Sequence, residues 1–329
     1  MTNETPLVSI CVPAYNADRW VAAALESALA QTYSNFELVL ADNASTDATV
    51  EIARSLGDPR IRIETSTVTI GAVANHNRAI RLSRGAFVKF LHADDLLLPE
   101  CVEEMVALAL DDPRIGLVFA PREVLLEDAS DPEWAEKFAR PHEHFDGLER
   151  INDGRRLFSQ LVDAGFDENW IGEPSAVLLT RRALEDVGLF NERLFQIADV
   201  ELWARIAYEH RLGFIDRTIS VYRHHEQSGT AQNARVRRDW FDPIWLIEGL
   251  LAIPSLTASD RRTLGRLRRA ALLRALRAQA GRIVRQRWTP ELAAYAAYRA
   301  RATVGERPRL HERLEKLEVA APQGLPAGS

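Results

Sequence analysis

Between Leu7 and Ala120 short apolar runs alternate with segments of helical period, and this alternation restricts the chain to very few architectures. Leu7–Val12, stopped by Pro13, reads as a buried strand, and Phe36–Ala41, Arg60–Glu64, Ala86–Leu91 and Ile115–Ala120 read as four more. Between them, residues Asp18–Gln31 set Trp20, Val21, Ala24, Leu25, Ala28 and Leu29 at helical spacing. Thr49–Leu56, with Ser45 or Thr46 placed to cap it, Ala72–Arg84 ended by Gly85, and Glu100–Leu110 complete the helices. The order predicts an α/β fold: a mostly parallel central sheet with helices on both faces. In such sheets ligands bind beyond the carboxyl ends of the strands.

Three polar clusters fall at that edge: Pro13-Ala-Tyr-Asn16, Asp42 to Asp47, and His92 to Asp95. The third is the most telling. Phe87–Leu91 delivers the adjacent acids Asp94 and Asp95, and Pro99 closes the segment. Two carboxylates at the end of a buried strand are costly unless something neutralises them. A divalent cation carrying a diphosphate is the partner this points to. Each cluster also has a plainer reading: a solvated turn capping the next helix for Asp94–Asp95, a polar turn for Asp42–Asp47.

From about Glu127 to Asn169 the pattern weakens into mixed polar, aromatic and His residues, among them Trp134, His142, His144 and Phe145, so a long irregular insertion is expected. Ser175–Thr180, Leu212–Asp216 and Ile219–Tyr222 read as further strands, Arg182–Val187 and Val200–Tyr208 as helices. Arg261–Arg287 is rich in Arg, Ala and Leu, predicting a helical hairpin or small bundle. Three uses compete for it: a solvated basic face, a surface lying on anionic lipid, or a homodimer interface with Leu264, Leu267, Ala271 and Leu272 as its apolar stripe. The expected organisation is a catalytic domain over 1–233, a helical C-terminal region over 234–318, and a disordered tail over 319–329.

The net charge of −6 argues against nucleic acid as a partner. Two cysteines, Cys11 and Cys101, make no disulfide framework. Met1–Pro6 lacks the basic and apolar regions of a signal peptide, and no apolar run reaches the ~20 residues that cross a bilayer. A cytoplasmic compartment is expected, with peripheral contact at the inner face of a membrane as one reading of the Arg-rich segment.

Five motifs recur in order: Pro13-Ala-Tyr-Asn16 after a strand, Ala41-Asp-Asn-Ala-Ser-Thr-Asp47, Asn77-Arg-Ala-Ile80, Leu91-His-Ala-Asp-Asp95, and Asp199-Val-Glu-Leu-Trp203. This series resembles the family 2 glycosyltransferases, whose fold is of the GT-A type, over residues 6 to 230. The resemblance implies a nucleotide-diphosphate sugar, carrying uridine or deoxythymidine, a Mg²⁺ or Mn²⁺ ion, and inversion at the anomeric carbon. It implies donor contacts from Pro13, Tyr15, Asn16, Asp42, Asn77, His92 and Asp94, metal ligation by Asp94 and His225, and Asp199 as catalytic base. Trp170, Glu173 and Asp95 are the candidates for the sugar or acceptor. Two positions depart from the family pattern. His92 stands where an Asp is usual; a neutral imidazole there still hydrogen-bonds ribose or water. Ala198 stands before the base where Glu is usual.

Transfer needs a carboxylate that takes the acceptor hydroxyl's proton, and Asp199 suits that role, with Glu201, Trp203 and Arg205 nearby to tune it. A single displacement inverts the sugar without the second carboxylate nucleophile of a retaining glycosidase. The expected activity is metal-dependent glycosyl transfer to a saccharide or lipid-linked acceptor in glycan or cell-envelope polysaccharide assembly. A nucleotidyltransferase-like enzyme is the first competitor, but no Gly-x-Gly-x-x-Gly or Walker loop follows the first strand. A non-catalytic nucleotide-sugar-binding protein is the second, motivated by His92 and Ala198; consumption of intact donor separates it from an enzyme.

Overall fold

The computed structural model describes residues 5–127, 132–228 and 241–283. Residues 229–240 and all those after Ile283, including the tail expected over 319–329, lie outside the described residues. In chain order the elements are β1 (Val8–Ala14), α1 (Val21–Leu29), β2 (Phe36–Asp42), α2 (Thr49–Ser55), β3 (Ile61–Thr65), α3 (Ala72–Leu82), β4 (Phe87–Phe90), β5 (Leu96–Leu97), α4 (Cys101–Asp111), β6 (Ile115–Phe119) and β7 (Glu123–Leu126). There follow α5 (Pro132–Ala139), β8 (Ile151–Asn152), α6 (Gly154–Asp163), β9 (Val177–Thr180), α7 (Arg181–Val187), α8 (Ala198–Glu209), β10 (Arg211–Phe214), β11 (Ser220–His224), α9 (Asp242–Leu251) and α10 (Ala258–Ile283). The chain divides into two compact units between Asp242 and Pro243.

The central sheet has the strand order β3-β2-β1-β4-β9-β6-β10-β8 among the described residues. β3, β2, β1 and β4 are mutually parallel, β9 runs against both β4 and β6, β10 is parallel to β6, and β8 is antiparallel to β10. The mostly parallel α/β sheet is therefore as expected. A run of near-continuously buried residues in β1, β2 and β6 matches strands covered on both faces. The chain winds outward from β1 through β2 to β3, then crosses back to place β4 on β1's other side. That reversal opens a crevice at the carboxyl ends of β1 and β4. A second sheet, β5-β11-β7, lies on the same segments that leave this edge: β5 follows the His92–Asp95 turn and β11 ends at His224.

Close approach is needed beneath the crevice. At Gly85 a Cβ would come within 2.6 Å of the Ser9 backbone nitrogen, so only glycine lets the chain enter β4 alongside β1.

Three expectations change. Neither Ser45 nor Thr46 caps α2; its first turn is held by Asp47, whose Oδ1 accepts from the Thr49 N–H at 3.0 Å. The insertion over 127–169 is not irregular throughout: α6 buries Leu157, Phe158, Leu161 and Val162 on one face, a period that the surrounding polar residues obscured. The Arg-rich segment does not turn back on itself within the described residues; α10 is one continuous helix from Ala258 to Ile283.

Candidate active site

At the edge formed by β1 and β2, Ala14 and Asp42 are register partners, and the Asn43 N–H donates to the Ala14 carbonyl at 2.9 Å. The loops that follow are laced together. Asn16 sits in the left-handed region at φ 48°, a conformation its short polar side chain tolerates. Its Oδ1 accepts from the Thr46 N–H at 2.8 Å, and its own N–H donates to Ser45 Oγ at 3.0 Å. Ser45 and Thr46 are thus spent on joining two loops. Asp42 is buried, and its carboxylate oxygens receive only the Ser45 N–H, at 3.3 Å to each. It keeps unused acceptor capacity at the end of a strand. Tyr15 is half exposed beside it, and Pro13 is the last but one residue of β1.

The turn after β4 carries Asp94 and Asp95 to different environments. Asp95 is 1% exposed. Its Oδ1 accepts from the Arg223 N–H at 2.9 Å and its Oδ2 from the Ser175 hydroxyl at 2.6 Å. Both oxygens tie the turn to β11 and to the segment before β9. Asp94 stays partly exposed, with Oδ2 3.1 Å from His225 Nε2. Burial works against its charge, but the His225 hydrogen bond and the nearby His92 hold its carboxyl below the usual range.

His225 is fixed from behind. Its ring stacks on Trp20 at 3.9 Å between centroids. Trp20 Nε1–H donates to Glu127 Oε1 at 3.0 Å, which also accepts from Arg223 Nη1 at 2.7 Å. Arg223 Nε–H in turn donates to the Asp94 carbonyl at 2.8 Å. His225 Nδ1 is buried with no hydrogen-bond partner, so its Nε2 is the nitrogen that faces the turn's acids. Ligand atoms of His92, Asp94 and Asp95 all lie within 4.8 Å of one another. Since the oxygens of Asp95 are occupied, Asp94 supplies the free oxygen and His225 the nearest nitrogen, a mixed oxygen and imidazole set that fits a divalent ion.

His76 Nδ1 lies 2.8 Å from the Ala72 carbonyl, which can only accept, so His76 Nε2 is left as an acceptor. His92 Nε2, 3.0 Å away, must then donate, while its Nδ1 faces Asp95 Oδ2 at 3.5 Å. Burial opposes the charge, but Asp95 and Asp94 push the His92 pKa up to about 9. Burial and the His92 charge push His76 down to about 3. Both His92 nitrogens face protein partners.

Asp199 lies in the first turn of α8. Its Oδ1 accepts from the Val200 N–H and its Oδ2 from Asn169 Nδ2–H, each at 2.8 Å. Burial, opposed by the Val200 N–H and assisted by Glu173, raises its pKa to about 6. Glu201 and Arg205 do not tune it: they form a buried ion pair at 2.8 Å, with Arg205 also donating to the Leu189 carbonyl at 2.6 Å. Trp203 packs in the core and donates to the Gly172 carbonyl at 2.9 Å.

Glu173, Asn77 and Trp170 each have partners within the fold. Glu173 is nearly buried and paired with Arg122 at 2.7 Å. Asn77 is fully buried, its amide bonded to the Phe190 backbone and Glu192, and it tethers the 190 loop. Trp170 has one face stacked by His144 at 5.4 Å and its edge against Phe145. The residues that position the site but carried no sequence signal are Trp20, Glu127, Asn169, Ser175 and His76. Arg223, two residues before His225, is another.

The family described as Glycosyl transferase family 2 matches residues 9–186. The chain is 33% identical over 249 residues to uncharacterized protein MT1568 of Mycobacterium tuberculosis, across 76% of this chain and 77% of that one. It is 33% identical over 119 residues to the Escherichia coli UDP-Glc:alpha-D-GlcNAc-diphosphoundecaprenol beta-1,3-glucosyltransferase WfgD, a match spanning 36% of this chain and 47% of that relative. Among solved structures, Staphylococcus aureus TarS 1–349 in complex with UDP-GlcNAc shares the fold at a TM-score of 0.62 and 18% identity, over 80% of this chain and 71% of that one. The mannosyltransferase PcManGT of Pyrobaculum calidifontis, in complex with GDP-Man and Mn²⁺, does so at 0.55 and 19%, over 92% and 82%.

Proposed function

Because this chain belongs to glycosyltransferase family 2, with the GT-A type of fold, we propose that it transfers a sugar from a uridine- or deoxythymidine-diphosphate donor to a hydroxyl of a saccharide or lipid-linked acceptor, inverting the anomeric carbon. The observation that carries this reading is the Asp94–His225 pair, held at the carboxyl edge of the sheet by Trp20, Glu127 and Arg223. The loops bearing Asp42, Tyr15 and Asn16 line the neighbouring strand ends. Asp42 has acceptor capacity for an imide N–H of the base, and Tyr15 is exposed to flank it. That TarS is seen with UDP-GlcNAc and that WfgD is named for UDP-Glc supports uridine over deoxythymidine. WfgD's named acceptor supports a lipid-linked glycan intermediate and hence envelope polysaccharide assembly.

Asp94 and His225 are the residues to hold Mg²⁺ or Mn²⁺, and the imidazole favours Mn²⁺. A bound ion of this kind neutralises charge developing on the leaving diphosphate. The chain's own groups do the rest. Asp95 and Asp94 favour positive charge on His92, at a position where a carboxylate would repel the phosphates. Asp199, half protonated near pH 6, is ionised at neutral pH and still basic enough to take the proton of the acceptor hydroxyl at one of its oxygens. Asn169 and the Val200 N–H keep that carboxylate from rotating.

The test is thermal-shift titration with UDP, dTDP and their sugar conjugates, with and without Mn²⁺, followed by measurement of donor consumption. A melting point raised by one nucleotide in a Mn²⁺-dependent way, and lost in Asp94→Ala, supports the reading. Binding of NAD with none of UDP or dTDP would overturn it.

A further inference from the structure

α10 carries a line of arginines on one face. Arg262, Arg266, Arg269 and Arg277 fall at spacings of four, three and eight residues, so at 3.6 residues per turn they form one narrow stripe, and exposed Leu273 sits in it. All four arginines are exposed. The opposite side of the helix carries the buried residues Leu264, Ala271 and Ala275. The helix's only acid, Asp260, projects near that opposite side. Among the described residues, none of these four arginines has a carboxylate partner; Arg266 donates only to the Thr263 hydroxyl at 3.1 Å. By contrast Arg268, off the stripe, lies 3.8 Å from Glu248.

A helix stripe of cations about 22 Å long, from position 262 to 277, matches a planar array of negative charge. We propose that this face of α10 docks on an anionic phospholipid surface, with the guanidinium groups at the lipid phosphates and Leu273 entering the interface. Charge complementarity argues for the phosphates, because guanidinium binds them in paired hydrogen bonds. Leu273 decides between lipid and nucleic acid: at 53% exposure in the middle of the stripe it has no use on a phosphodiester backbone, whereas interfacial helices bury such a residue. The net charge of −6 also disfavours wrapping by a polyanion, while a flat membrane meets only the basic face. With one apolar residue and four charges the attachment is reversible and salt-sensitive. This inference is independent of the donor-site reading.

The experiment is flotation of the full chain with vesicles of phosphatidylcholine alone or mixed equally with phosphatidylglycerol, without donor or metal. Binding to the mixed vesicles alone, reversed by 0.5 M salt and reduced at least roughly tenfold in Arg266→Glu/Arg269→Glu, supports docking. The double variant should melt and consume donor as the wild type does, since the stripe is exposed. Arg266→Gln/Arg269→Gln should lose less, and Leu273→Ser should weaken binding with the charges intact. Equal binding to both vesicle types, wild-type binding by the charge-reversed variant, or retention of an oligonucleotide with no vesicle binding would overturn the proposal.

Discussion

Asn169 Nδ2 donates to Asp199 Oδ2 at 2.8 Å and to the Gly172 carbonyl at 2.9 Å, so one amide fixes both the carboxylate at the start of α8 and the loop before β9. Its Oδ1 accepts from the Gly172 N–H at 3.0 Å, which sets the orientation of the amide. A hydrogen bond to an ionised carboxylate favours the charged form. Asn169 therefore opposes the burial that raises the Asp199 pKa.

The first prediction concerns pH. Asp199 acts as base only when ionised, so turnover should fall as pH drops through about 6, tenfold per unit below it. Asn169→Ala removes a donor to the charged form and should move this limb upward by roughly half to one unit. Asp199→Asn should abolish the limb and lower kcat by roughly 10²–10⁴. A pH–rate profile of wild type and both variants checks this; an unmoved limb in Asn169→Ala refutes the coupling.

The second prediction separates ligand from support. Asp94→Ala should lose the Mn²⁺-dependent rise in melting temperature and nearly all transfer. His225→Ala should raise the Mn²⁺ concentration for half-maximal rate. Trp20→Leu leaves both groups in place but removes the stacked ring and the Glu127 contact. It should shift Mn²⁺ dependence by roughly ten- to a hundredfold while kcat at saturating Mn²⁺ is largely kept, because support residues act through ligand orientation. Isothermal titration with Mn²⁺ alongside kinetics is the measurement.

A third prediction is about stability. Arg205→Met leaves the carboxylate of Glu201 buried and uncompensated and strips the Val187 and Leu189 carbonyls of a donor. Breaking a buried pair in this way costs about 3–5 kcal/mol. Urea denaturation should show it, with Glu201→Gln less damaging than Arg205→Met, since Gln can still accept from the guanidinium.

The fourth is steric. A Cβ at Gly154 would lie 1.9 Å from the His210 carbonyl oxygen and 2.2 Å from that of Ala207. Gly154→Ala must push the start of α6 off the end of α8, and a loss of about 1–3 kcal/mol is expected by denaturant titration. Gly57→Ala offers the contrast: it meets nothing within 4 Å, and its cost comes from backbone conformation at φ 63° alone.

The alternation of strands and helices and the polar clusters at the strand ends were readable from order and period, because those are local properties of the chain, whereas the crossover to β4 came from the fold. So was the family, since its motifs are short and contiguous. What the fold alone settled was which of two adjacent carboxylates is available. Asp94 and Asp95 are neighbours in the chain and the motif alone told them apart, yet Asp95 is engaged by Ser175, 80 residues on, and Arg223, 128 residues on. His92 likewise acquires its partners, His76 and Asp95, through the folding of α3 against the turn after β4. The partners of Asn77 and Glu173, Phe190 and Arg122, are distant along the chain and likewise came only from the fold. Periodicity reports which side of an element is apolar; the solvation and hydrogen-bond partners of a polar atom depend on contacts between elements, and those exist only once the chain has closed.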